Sequence, residues 1–267
     1  MSADLIAAEW IKLWSLRSTR LGFLACAVIV LAITANTALA DVGDWPSMSA
    51  QTRALFVPIW SFRDAFNDPS GMVLALAAGG LGAVTVVGEY SSGMIRTTFA
   101  AVPARGSVMA AKVIVVAAVF TVFGAVLSAA AFALSQAILS GAGIGVGIGY
   151  PGAVRAVAAS ALLAPVCALI GLACGAVIRH TATTIVVVTG FLLLVPRLFD
   201  SRAHRWVATV HDVLPAAAWD RLTTTGVESG LNLDPYQPTI GGSWTVFALW
   251  SVAAATLTVL AARHRDL

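Results

Sequence analysis

Charge is scarce in this sequence: Asp, Glu, Lys and Arg make up only 11% of its 267 residues. A soluble domain carries about 25%, because its surface must face water. A chain with less than half of that cannot cover a globule of its size. Disorder is excluded as well, since it needs low hydrophobicity and high charge, and here 59% of residues are hydrophobic with a mean hydropathy of +0.88. The surviving class is an integral membrane protein, whose length counts spans rather than soluble domains, and residues 1–267 read as a single transmembrane domain. Cysteine is also rare. Cys26, Cys167 and Cys174 all lie in apolar runs, are odd in number and have no metal-ligating neighbours. They read as small buried apolar side chains, with no disulfide framework and no redox motif.

The apolar runs lack chemistry. No Asp, Glu, Lys or Arg falls in the middle of one, and the strongest polar group is Gln136, near the outer end of the third. Ion-coupled pumps need ionisable groups at depth. His180, His204, His211 and His264 stand near or beyond run ends, which disfavours haem held within a bundle. Neither a buried nucleophile with a base nor an aspartate pair is present for intramembrane proteolysis. No Gly-Lys-Ser/Thr phosphate loop occurs, so the chain is not expected to be an enzyme or to hold a cofactor. A formal G-x-G-x-x-G at Gly147, Gly149 and Gly152 is interrupted by Pro151 and follows no strand, so the glycine run 141–149 reads as a flexible external turn.

A spanning helix needs about 20 mainly apolar residues, and backbone groups in lipid must be paired within the segment. Six stretches meet this: 21–40, 71–88, 108–139, 153–178, 181–196 and 243–262. The third exceeds the bilayer and the fifth is short. The expected fold is therefore all-α, a polytopic bundle of six transmembrane helices. The net charge of +3 and pI of about 9.0 reflect basic residues clustered at run ends, which points to orientation and not to nucleic acid. Nine basic residues (Lys12, Arg17, Arg20, Arg96, Arg105, Lys112, Arg179, Arg263 and Arg265) fall on the side of the termini. Seven (Arg53, Arg63, Arg155, Arg197, Arg202, Arg205 and Arg221) fall on the other, four of them in or beside the long segment 197–242. Short loops weigh most in orientation, so both termini are expected in the cytoplasm. Residues 1–40 also have the outline of a signal peptide ending at Ala38-Leu39-Ala40, but the apolar run outlasts a typical 7–15-residue signal core; an uncleaved first span is the expectation.

Residues 4–17 have helical periodicity. Ile6, Trp10, Leu13 and Trp14 share one face, with Glu9, Lys12 and Ser15 opposite. Tryptophans on an apolar face suit the headgroup boundary, so 1–20 is expected to be an amphipathic interfacial helix. After the second run the chain reads Gly88-Glu89-Tyr90-Ser91-Ser92-Gly93-Met94-Ile95-Arg96-Thr97-Thr98-Phe99, then Pro103-Ala104-Arg105 and Lys112. Mixed charge, a turn-permitting Gly93 and the rings of Tyr90 and Phe99 make a short exposed element that another protein can grip.

This stretch resembles the first cytoplasmic loop of ATP-binding cassette (ABC) exporter permeases of the second type. Glu89, Gly93, Arg96, Pro103, Arg105 and Lys112 follow that family's order, with Met94 where threonine is commoner. The resemblance implies six spans preceded by a cytoplasmic amphipathic helix, in a bacterial cytoplasmic membrane. It implies that 89–107, including Glu89, Tyr90, Gly93, Met94, Arg96, Phe99, Pro103 and Arg105, is a coupling element seated in an ATPase subunit. The partners implied are two ABC ATPase subunits holding ATP and Mg, and a second copy or a sister permease. The charge-poor spans suit an amphipathic or lipid-like cargo. The alternative is a membrane anchor or sensor subunit that transports nothing and uses the same loop for docking.

Outside, 41–70 carries Trp45, Pro46, Pro58, Trp60, Asp64 and Asp68, and reads as a polar loop or a short surface helix. In 199–242, helical spacing of Trp206, Val210, Val213 and Leu214, then Trp219 and Leu222 after Pro215, predicts two short helices. These either dip into the outer leaflet, as in the related permeases, or lie flat on it. Gly79, Gly80, Gly82, Gly124, Ser128, Gly171 and Gly175 allow close helix packing, within the subunit or at a dimer seam. Pro165 is a candidate kink.

Overall fold

A computed structural model describes residues 3–59, 62–199, 204–224 and 238–264. Among these residues there is no strand, and six helices are long and apolar enough to cross a membrane. The architecture is that of a multi-pass membrane protein.

The chain begins with α1 (Ala3–Ser15), and after Leu16 enters α2 (Arg17–Asp44). A 3₁₀ turn (Trp45–Ser47) and α3 (Ala50–Ile59) follow, so the loop-or-helix choice in 41–70 resolves to helix; Trp60 lies outside the described residues. The second span is α4 (Asp68–Ser91), whose first turn is capped by the Asn67 side chain accepting from Ser70 N at 2.8 Å. A short helix, α5 (Met94–Ala101), leads into α6 (Arg105–Gly141). At 37 residues α6 is about 55 Å long, well beyond a hydrocarbon layer of about 30 Å. The glycine run after it is a turn pinned by Gln136, whose Oε1 accepts from Val146 N at 2.8 Å.

Central to the bundle is α7 (Ala153–Ile178), in which 72% of the apolar stretch is buried. It packs most extensively on α4 and α6. The cause is the placement of small residues. A Cβ added at Gly82 would overlap the Ala168 carbonyl, one at Gly171 the Gly79 carbonyl, and one at Gly124 the Ala161 carbonyl. The backbones of α4, α6 and α7 touch because nothing stands between them. These glycines therefore serve packing within one chain, and α7 continues through Pro165 without ending.

The fifth span is not one regular helix. It comprises α8 (Thr181–Thr189), a π-turn (Gly190–Leu194) and α9 (Val195–Leu198). Pro196 has no N–H to give and its ring crowds the carbonyl four residues back, which is Leu192; the widened turn contains that residue. Only 17% of this span's apolar stretch is buried in the chain. The short helices α10 (Arg205–Asp212) and α11 (Pro215–Thr223) precede the last span, α12 (Ile240–His264). The sequence leaves open whether they dip or lie flat, and α11 settles its part: it is packed into the bundle against α7 and α12. Trp219 Nε1 donates to Ser160 Oγ at 2.9 Å, and Arg155 donates to the Leu222 and Thr224 carbonyls at 3.0 Å each. On α10 the buried residues are Ala208 and His211, while Trp206 is exposed, as is Val213 just beyond.

Candidate functional site

The site begins with a turn. α4 ends at Ser91, where Ser92 N and Gly93 N donate back to the Gly88 and Tyr90 carbonyls at 3.1 and 3.2 Å. Gly93 then adopts φ +74°, a left-handed conformation that glycine takes without penalty. The reversal lets α5 start at once. On α5, Ile95 and Phe99 are buried while Met94, Arg96 and Thr97 are exposed. Arg105 caps the far side, its guanidinium 5.6 Å from the Phe99 ring, and the exposed Pro103 separates α5 from α6.

Beneath this turn lies a buried charge cluster. Glu9 on α1, Glu89 on α4 and Lys112 on α6 are each at most 5% exposed. Glu9 accepts from both lysines, from Lys12 Nζ at 2.7 Å through Oε1 and from Lys112 Nζ through Oε2. Glu89 Oε1 accepts from Lys112 at 2.9 Å and Lys12 at 3.1 Å. Two carboxylates and two ammonium groups balance, which is what makes their joint burial tolerable. Burial alone would lower the pKa of Lys12; the hydrogen bond to Glu9 and the negative charges of Glu89 and Glu9 outweigh it, and the pKa is raised.

Arg179 closes the same end. At the C-cap of α7 it takes φ +61°, the one non-glycine residue with positive φ among the described residues. Its guanidinium lies 4.9 Å from the Tyr90 ring centroid and donates to the Ala261 carbonyl of α12 at 3.3 Å. The ends of α4, α7 and α12, the start of α6 and all of α1 thus meet at one end of the bundle.

Four side chains point otherwise than the sequence pattern predicts. Phe99 is buried, not displayed, and Tyr90 is half-buried under Arg179. Glu89 faces the cluster and not solvent. In α1, Glu9 does not oppose Leu13: the two point into the bundle together, Ile6 and Trp14 are half-buried, and Trp10 and Ile11 are exposed. Periodicity put Glu9 outside because its compensating cation, Lys112, is 103 residues away. Arg179 was missed as a site residue; its signal was a lone arginine between two apolar runs.

No family model matches the chain, and no curated protein matches it either.

Between α1, α2, α4 and α6 runs a cleft of about 300 Å³ that borders the cluster. At the opposite end, a cleft of about 360 Å³ opens among α4, α7, the fifth span and α11, with Arg63, Asp68, Arg197 and His211 at its rim and Cys167 on its wall. On that side Asp64 is buried, and burial together with the charge of, and hydrogen bond to, neighbouring Asp41 pushes its pKa up to about 8.

Proposed function

We propose that this chain is the membrane-spanning permease subunit of an ABC exporter, with ATP and Mg bound by partner ATPase subunits. The observation that carries the reading is α5. It is a short helix with a buried apolar side and an exposed Met94–Arg96–Thr97 side, held by tight turns between two spans. A partner that grips the exposed side of α5 pushes on α4 and α6 together. The buried cluster ties α1 to both of those spans, so the three move as one body.

In this reading α5 and both termini face the cytoplasm. Helix α1 lies at the inner headgroup boundary with Trp10 and Ile11 turned to lipid. A second permease copy, or a sister permease, covers the sparsely buried fifth span. The cleft at the opposite end is the exit for an amphipathic or lipid-like cargo. Met94, Arg96, Pro103 and Arg105 are the contact residues, whereas Glu89, Gly93 and Phe99 position α5.

The test is cross-linking from Arg96→Cys carrying a short photoreactive probe, in membranes of the producing cell. The expected adduct is a protein with a phosphate-loop ATPase motif. An adduct with a soluble protein lacking that motif favours the anchor or sensor alternative, and labelling of Arg96→Cys by an impermeant reagent from outside intact cells overturns both.

A further inference from the structure

The first turn of α2 carries positive charge where the helix itself opposes it. A helix N-terminus is the positive end of the backbone dipole, yet α2 opens with Arg17 and Arg20 and has no acidic residue in that turn. Both arginines are exposed. Arg20 Nε donates to the Trp14 carbonyl at 2.8 Å, which holds its guanidinium at the elbow between α1 and α2. Among the described residues no carboxylate pairs with either arginine. The acids of this end are already engaged: Glu9 and Glu89 hold Lys12 and Lys112, and Asp4 stands in the first turn of α1. The elbow therefore presents two positive charges that the described chain does not balance.

An apolar strip continues from them. Arg20, Leu21, Leu24 and Val28 follow Arg17 at i+3, i+4, i+7 and i+11, so all five share one face of α2. Leu21, Leu24 and Val28 are each more than half exposed. From Arg17 to Val28 the face runs about 16 Å, close to the hydrocarbon depth of one leaflet. It thus matches the outline of one phospholipid, with a phosphate at the bilayer surface and an acyl chain running inward from it. Guanidinium suits phosphate through paired N–H···O bonds. A zwitterionic head brings its own ammonium and balances nothing, whereas a head of net negative charge balances the arginines. We propose that this face of α2 is a binding site for an anionic phospholipid of the leaflet adjoining α1, with its phosphate on Arg17 and Arg20 and an acyl chain on Leu21, Leu24 and Val28. The inference does not depend on the permease reading, because lipid binding, not transport, is measured.

The full chain is placed in phosphatidylcholine nanodiscs with a trace of either phosphatidylglycerol or phosphatidylcholine carrying a diazirine in its acyl chain, and adducts are mapped by peptide mass spectrometry. On residues 17–28 the phosphatidylglycerol probe should exceed the phosphatidylcholine probe, by about fivefold for each arginine. Arg17 has no side-chain partner to lose, so Arg17→Gln leaves the fold intact and should cut the excess about fivefold. Arg17→Gln with Arg20→Gln should abolish it. Equal adducts from the two probes in the unmodified chain, or an excess unchanged in Arg17→Gln, overturn the proposal whether or not the double variant folds. The same fall in Arg205→Gln, on α10 at the opposite end, would mean that overall charge and not this face selects the lipid, and overturns it too. So does loss of the excess to inorganic phosphate but not to sodium chloride of equal ionic strength, which would mark a site for a free anion.

Discussion

Lys112 holds two carboxylates from two other helices, and its side chain is 4% exposed. Lys112→Met leaves Glu9 and Glu89 buried with Lys12 alone, and an uncompensated buried charge costs about 3–5 kcal/mol. Unfolding in detergent should show that loss, and adding Glu9→Gln, which rebalances the charge, should restore part of it. A lysine that was merely solvating a loop would give neither result. Asp64 makes a prediction of opposite form. Its pKa in the folded protein, about 8, lies above its ordinary value. The unfolded chain then binds fewer protons than the folded one between those two values, so stability is greatest at acid pH and falls as pH rises toward about 8. Asp64→Asn removes that slope: its melting temperature should exceed that of the parent at pH 9 and change less between pH 5 and pH 9.

At the scale of elements, the contrast between two glycines is the sharpest test of how α4 meets α7. Gly171 touches the Gly79 carbonyl, so Gly171→Ala has no side chain to displace and must part the backbones. Overpacking costs about 1–3 kcal/mol, and a backbone contact places it at the upper end. A Cβ at Gly80 meets nothing within 4 Å; Gly80→Ala should be neutral or gain a few tenths of a kcal/mol from helix propensity. Equal melting temperatures for the two variants would mean that α4 and α7 do not pack as described. The elements themselves were largely legible. The runs 153–178 and 71–88 reappear as α7 and the body of α4, because continuous apolarity over about 20 residues has one hydrogen-bonded solution in lipid. The π-turn before Pro196 was not legible, since proline announces a disturbance without saying whether the helix kinks, widens or stops. Nor was the docking of α11, which depends on Trp219 finding Ser160 across 59 residues.

For the whole molecule, α1, the α4–α5 turn, Arg179 and the end of α12 meet at one end of the bundle, so the first and last described helices share that end, as an even number of spans requires. Cysteine substitution at Thr97, exposed on α5, and at Asp44, exposed at the far end of α2, should label from opposite faces of sealed vesicles. Labelling of both from one face would break the six-span arrangement. Composition and run length alone pointed to a multi-pass helical membrane protein with six apolar runs and roughly where each run lies, because hydrophobic length is a local property of the chain. The tertiary structure alone decided which way the polar side chains point. Glu9 faces inward and Glu89 is hidden, because the free energy of a buried charge depends on partners that a linear pattern does not bring together.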